Sequence, residues 1–384
     1  MIGNFPIDKF EKIQTPFYYY DTTLLRQTLD IVKAESQKYG YHSHYAVKAN
    51  ANAKLLKIIA SYGLGADCVS GGEVQAAIDA GFAPSSIVFA GVGKTDWEIN
   101  LALDLNIFCF NAESIPELEV INELAAKKGK IAHIALRVNP NVDAHTHHYI
   151  TTGLSENKFG FSIEDLDKVM ALIPSLKNLD FIGLHFHIGS QITDFSSFQD
   201  LCVRLNELQD QFDAKGIKLK NINIGGGLGI NYEHPNHFPI ADFETYFRLF
   251  NKNLQLREGQ VLHCEPGRSI VAQCGSLITK VTYVKLGATK KFAIVDAGMT
   301  DLIRPALYEA YHRIENISST EQEDVYDVVG PICESSDVFQ KEVHMNGTKR
   351  GDLIALRSAG AYGEIMASRY NLRRLPIGYL SEEM

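Results

Sequence analysis

From residue 41 onward the sequence repeats one unit: a short β-branched or aromatic run, a polar break, then an amphipathic helix pattern. That rhythm constrains the fold more than any other feature. The strand candidates are HYAVKA (44–49), GADCVS (65–70), SIVFAG (86–91), IFCFNA (107–112), IALRVN (134–139), FIGLHFHI (181–188), LKNINIGG (219–226) and VLHCEP (261–266). Helix patterns lie between them, including AKLLKIIASYG, GEVQAAIDAG, IPELEVINELAAKKG and FQDLCVRLNELQDQFDAKG, the last with Gly216 as its expected C-cap. Eight such units predict a (β/α)8 barrel in which each strand is followed by a crossover helix.

After Gly267 the texture changes to strands without regular helices, in SIVAQCGSLITKVTYVKLG, KKFAIVDAG, VYDVVGPICES and GDLIALRSAG. This predicts a β-sandwich or β-barrel domain. The chain thus divides into a barrel over 22–267 and a β-rich domain over 1–21 and 268–384, with TPFYYYD (15–21) expected to pair with the C-terminal sheet. The long, helix-poor stretch 139–162 reads as a functional loop.

With 37 Lys plus Arg against 46 Asp plus Glu, the net charge of −9 offers no basic excess for a nucleic-acid partner. No window reaches the length of a membrane span, and the N-terminus lacks a basic-then-apolar leader, so a cytoplasmic protein is expected. Six cysteines at 68, 109, 202, 264, 274 and 333 form no CxxC pair. Metal and disulfide frameworks lose their spacing signal, and most of these thiols read as small buried hydrophobes.

The active site of a (β/α)8 barrel is built at the C-terminal strand ends, where reactive residues concentrate here. Lys48 ends the first strand, Asp67 and Ser70 the second, and Arg137 the fifth. His187 and Ser190 follow the sixth, Gly225-Gly226-Gly227 the seventh, and Glu265, Gly267 and Arg268 the eighth. Singly, each has a bland explanation: a surface lysine, a plain glycine loop, a solvated carboxylate. Together they fit one cofactor. Desolvation at the barrel mouth would make Lys48 nucleophilic toward an aldehyde. Residues without Cβ let backbone N–H groups close on a phosphate, strengthened by any following helix N-terminus. A buried Glu265 needs a partner such as a protonated ring nitrogen. Pyridoxal phosphate has all three groups. The competing reading takes His185 and His187, alternating on one strand face, as the metal pair of a barrel hydrolase. His145, His147 and His148 read as solvated or substrate-facing rather than as metal ligands, and no metal is expected.

At these residues the chain resembles the fold-type III pyridoxal-phosphate decarboxylases. The resemblance runs through YAVKAN, GADCVSGGE, LRVNPNVDAHTHHYITTG, NKFGF, GLHFHIGSQ, INIGGGLG, EPGRSIVA, VDAGMTDLIRPALYEAYH, GPICESSD and GAYGEIMAS, with Asn157 departing where serine is common. YAVKAN, HIGS and EPGR are shared with ornithine and arginine decarboxylases; IRPALYEAYH and GPICESSD resemble the diaminopimelate branch. The resemblance implies pyridoxal 5'-phosphate on Lys48, with His187 stacked on its ring. Asp67 and Tyr362 would belong to the cofactor site. Ser190, Gly225 to Gly227, Gly267 and Arg268 would hold the phosphate, and Glu265 the pyridine nitrogen. Arg268, Arg304, Tyr308 and Tyr362 would bind the substrate, with Glu334 on its distal ammonium. Cys333, the candidate proton donor, and Glu334 would come from the other subunit of a homodimer.

The expected reaction is loss of CO2 from meso-2,6-diaminoheptanedioate, giving L-lysine. The alternatives are an ornithine, lysine or arginine decarboxylase of the same fold, a racemase-like enzyme, a non-catalytic pyridoxal-phosphate carrier, and the metal hydrolase.

Overall fold

The computed structural model describes residues 5–142 and 158–384. The chain divides into two compact units, one of residues 29–229 and 242–267, the other of 1–28, 230–241 and 268–384. Residues 230–241, inside the span that sequence periodicity assigns to the barrel, therefore lie with the β-rich unit.

Strand β1, Phe17–Tyr20, precedes the barrel. The first unit is a closed parallel barrel of eight strands in sequence order: β2 His42–Ala46, β3 Gly65–Cys68, β4 Ile87–Phe89, β5 Cys109–Ala112, β6 Ala132–Arg137, β7 Leu179–His185, β8 Asn221–Asn223 and β9 Val261–Cys264. Every strand except β5 ends before its apolar run does, the run continuing past the strand's C-terminal end. Lys48, for example, lies in a 3-10 turn, Val47–Ala49, just beyond β2. Local signals set the helix ends. Ser70 Oγ accepts the Glu73 N–H while Glu73 accepts the Val69 N–H, so the helix Gly71–Ala80 starts on a reciprocal cap and stops at left-handed Gly81. Gly216, with φ of 71°, closes the helix Ser196–Ala214 in the same way. One expectation fails: β9 has no long crossover helix after it, only the single turn Arg268–Val271, and the chain then passes at Gly275 into a long strand.

The second unit is an eight-stranded mixed sheet formed by β1, β10 Gly275–Leu286, β11 Lys291–Val295, β12 Ile314–Asn316, β13 Glu323–Val329, β14 Val338–Asn346, β15 Leu353–Leu356 and β16 Ile377–Leu380. As expected, β1 joins it, antiparallel to β10 with Phe17 opposite Ile278 and parallel to β16 with Phe17 opposite Ile377. Strand β10 is the pivot. Its first half pairs with β1 and β15, and its second half, past an irregularity near Thr282, pairs with β11. Phe10, Phe17, Tyr19, Ile278, Leu353 and Ala355 form a buried cluster on this sheet, with the Phe10 ring 5.2 Å from Phe17 and 5.0 Å from Tyr19.

Among the described residues no helix is long and apolar enough to cross a membrane. Because Phe10 is fully buried at the centre of its cluster, Phe10→Ala is expected to lower unfolding stability by about 3–5 kcal/mol, measured by urea denaturation.

Candidate active site

The chemistry of the barrel unit centres on Glu265, one residue past β9 and almost fully buried. His185 Nε2 lies 3.0 Å from its Oε2. Asn223 Nδ2 donates to Oε1 at 2.7 Å and Asn111 Nδ2 at 3.4 Å. Burial by itself would raise the carboxyl pKa, but His185, through its charge interaction and hydrogen bond, together with Lys48, holds it well below the usual range. Asp67 is its opposite. Both its oxygens are buried without a hydrogen-bond partner among the described residues, and the Lys48 amine stands 3.8 Å away. Burial, then the negative charge of Glu265, push the Asp67 pKa up to about 8 against the pull of Lys48. Of the two carboxyls, Glu265 has three donors and Asp67 has none, so Glu265 keeps the charge and Asp67 the proton.

The Lys48 side chain is 39% exposed, so desolvation alone does not distinguish it; its acidic neighbours do. His187 accepts the Gly226 N–H at Nδ1 (3.3 Å), which puts its own proton on Nε2. Burial first, then Lys48 and Arg137, depress its pKa strongly and keep the ring neutral. The histidine pair of the hydrolase reading does not form. Strand β7 ends at His185, whose Nε2 faces Glu265, while His187 lies beyond the strand against Gly226. His145, His147 and His148 lie outside the described residues. Ser70 is a helix cap, and Arg137 pairs with buried Glu113 at 3.0 Å.

The triple glycine has a packing reason of its own. A Cβ on Gly226 would stand 2.4 Å from the Glu265 carbonyl oxygen, and one on Gly225, whose φ is +69°, 2.3 Å from that of Phe186. The Gly225 and Gly226 amides already donate to Asn223 Oδ1 and His187 Nδ1. The anticipated helix N-terminus is missing, since the next helix begins at Phe243. Ser190 follows β7 in a loop, partly buried. Gly267 packs against β2, where a Cβ would meet the Ala46 methyl at 2.9 Å.

The β-rich unit holds a second cluster. Arg268 Nη1 donates to Tyr232 Oη at 2.7 Å, and its guanidinium lies 4.9 Å from the Tyr362 ring centre. Tyr362 takes a left-handed backbone, φ 55°, a conformation that costs a non-glycine residue free energy. Arg304 lies 5.1 Å over the Tyr232 ring, 2.7 Å from His312 Nε2, and buried. Among the described residues no carboxylate forms an ion pair with Arg304. Tyr308, half-buried, ends the short helix that Arg304 starts. Cys333 and Glu334 stand on an exposed tip; Asp337 fixes its base by accepting the Ile332 and Met299 N–H groups.

Sequence reasoning did not single out Asn111, Asn223, Tyr232 or His312. Asn223 and His312 lie inside the motifs INIGGG and YEAYH, but neither spacing nor residue type marks them as partners of Glu265 or Arg304.

A family model described as the pyridoxal-dependent decarboxylase pyridoxal binding domain matches residues 25–272. The sequence is 64% identical over 385 aligned residues to a diaminopimelate decarboxylase from Bacteroides thetaiotaomicron, covering 100% of both chains. This chain belongs to the diaminopimelate decarboxylase family. The crystal structure of the diaminopimelate decarboxylase from Helicobacter pylori, complexed with L-lysine, matches with a TM-score of 0.92 at 41% identity, over 98% of this chain and 94% of that one. The M. jannaschii diaminopimelate decarboxylase, in co-complex with L-lysine, matches with a TM-score of 0.90 at 35% identity, over 99% of this chain and 90% of that one. Family membership removes the metal-hydrolase reading and the non-catalytic carrier.

The raised Asp67 pKa has a consequence for stability. The folded state binds a proton at Asp67 up to about pH 8, whereas an unfolded aspartate releases it near pH 4. The burial penalty therefore grows as pH rises between those values. In a urea-denaturation series on the apoenzyme, Asp67→Asn should be stabilising relative to wild type, by an amount that increases from pH 4 to pH 8 and then levels off.

Proposed function

We propose that this enzyme decarboxylates meso-2,6-diaminoheptanedioate at its D-centre, giving L-lysine and CO2, with pyridoxal 5'-phosphate held by Lys48. The observation that carries the cofactor assignment is Glu265, an anion buried among donors and held ionised in part by the charge of Lys48, where a protonated ring nitrogen fits. Once bound, pyridoxal phosphate supplies a ring that accepts the electron pair released as the bond to the carboxylate breaks.

The chain's own residues do the rest. Glu265 holds a proton at the ring nitrogen, whereas a racemase-like enzyme would place a cation there to weaken electron withdrawal. Asp67, which holds its proton up to about pH 8, keeps an exchangeable proton 3.8 Å from the Lys48 amine. Neutral His187 offers a flat face without adding positive charge. Gly227 with Ser190, Gly267 and Arg268 would hold the phosphate, the Gly225 and Gly226 amides being engaged by Asn223 and His187. Tyr362 would complete this side.

The substrate's second carboxylate fits Arg304, with Arg268 and Tyr308, because a buried guanidinium that no carboxylate among the described residues pairs with favours a ligand's carboxylate. Ornithine and arginine decarboxylases act on substrates lacking that group, so Arg304 favours the diacid. Cys333 and Glu334, solvent-facing in the single chain, would serve the active site of a second subunit, Cys333 delivering the proton and Glu334 meeting the distal ammonium. We assign the enzyme to the cytoplasm as a homodimer with shared sites.

Borohydride treatment of the holoenzyme, followed by digestion and mass spectrometry, should find a pyridoxyl group on the peptide containing Lys48. Lys48→Ala should lose that adduct and lower CO2 release from diaminopimelate at least about a thousandfold; an adduct elsewhere, or full activity, rejects the assignment. Mixing inactive Lys48→Ala and Cys333→Ala subunits under exchange conditions should restore activity, up to about a quarter of wild type, if each site takes Cys333 from its neighbour. Absence of recovery in verified mixed dimers rejects the shared site.

A further inference from the structure

The β-rich unit buries a hydrogen-bonded chain that admits one proton arrangement. A guanidinium only donates, so the 2.7 Å contact between Arg304 Nη1 and His312 Nε2 requires a lone pair on Nε2. The ring proton is then on Nδ1, which donates to the Arg357 carbonyl at 2.9 Å. Arg357 is itself anchored: its terminal nitrogens donate to Glu315 Oε2 at 2.8 Å and Asn236 Oδ1 at 3.0 Å, and its N–H to the Arg313 carbonyl at 2.8 Å. Tyr232 packs edge-on against His312, 5.2 Å between ring centres, and carries Arg304 over its face. Protonating His312 would set N–H against N–H and add a further charge beside Arg304 and Arg268. Burial first, then Arg304, depress its pKa to about 3, so the acceptor persists at any working pH.

We propose that His312 is a positioning residue that, by accepting one Arg304 N–H, aims the remaining guanidinium donors at the substrate's distal carboxylate and so sets preference for a diacid. This rests on the assignment of Arg304 to that carboxylate. A guanidinium turns freely about its side-chain bonds unless some of its hydrogens are engaged, and loss of aim weakens binding without touching the reacting carbon. Because decarboxylation occurs at the D-centre, L-lysine retains the distal centre and reports on the same subsite.

The test is steady-state kinetics on holoenzyme carrying His312→Phe, which keeps the ring and removes the acceptor, and His312→Gln, whose amide can both accept and donate. For His312→Phe the KM for diaminopimelate and the inhibition constant of L-lysine should rise together by about tenfold or more. The kcat should stay within about twofold and the cofactor dissociation constant should not change. His312→Gln should recover most of the loss. Unchanged KM and inhibition constant, a defect confined to kcat, or equal impairment of both variants overturns the proposal. Arg304→Leu is measured in parallel. If it leaves KM and lysine inhibition unchanged, the distal-carboxylate assignment itself fails; if it raises both while His312→Phe does not, only the role of His312 fails. Should His312→Phe not fold, NMR of wild-type enzyme labelled with 15N-histidine decides. The proposal requires an unprotonated His312 Nε2 whose resonance shifts on L-lysine saturation, and a protonated Nε2 or an unmoved resonance overturns it.

Discussion

An ionised Glu265 inside the barrel is the constraint around which the first unit is organised. Removing a carboxylate from water costs several kcal/mol, and each hydrogen bond to a charged group returns about 1.5–3 kcal/mol. Three donors therefore roughly offset the cost, and they come from three separate strands: Asn111 from β5, His185 from β7 and Asn223 from β8. No single βα unit could supply them. The anion is tolerable only in a closed barrel, and the same closure leaves Asp67 on β3 short of donors, so that one of two buried carboxyls is charged and the other protonated. That division leaves a fixed negative charge that feels Lys48 and an exchangeable proton 3.8 Å from its amine.

In the β-rich unit, positive charge is managed by the same means. Arg304 is buried against Tyr232 and His312, neutral groups that orient it without neutralising it. A protein carboxylate there would have stabilised the fold and occupied the group that a diacid substrate needs. The structural effort goes instead into the support: the residue after β15, Arg357, presents its carbonyl and is tied to Glu315 and Asn236, and His312 is left with one tautomer. Segments from three distant parts of the chain meet in this support, which is why residues 230–241 leave the barrel span and belong to the second unit.

Much of this was legible from residue order. Period-two apolar runs alternating with amphipathic helices identify the eight barrel strands, and TPFYYYD is recognisable as a strand of the other sheet because four consecutive aromatics suit a strand buried on both faces. Strand ends were less legible. Lys48 and His187 look like strand residues because their neighbours are apolar, but those neighbours pack into the mouth rather than extend the ladder. The glycines after β8 read as an anion cradle, and all three also sit where a backbone carbonyl approaches too closely for a Cβ.

The sequence by itself determined the architecture and the inventory: eight βα units, a β-rich remainder, and a lysine, a carboxylate and arginines at strand ends and turns. These follow from periodicity and residue chemistry, which act over a few positions along the chain. Only the tertiary structure decided how the inventory is wired, namely that Glu265 rather than Asp67 holds the charge, that His185 serves Glu265 rather than a metal, and that His312 accepts from Arg304. Protonation and hydrogen-bond direction depend on distances between residues far apart in the chain, 154 positions for Asn111 and Glu265, and folding alone sets those distances.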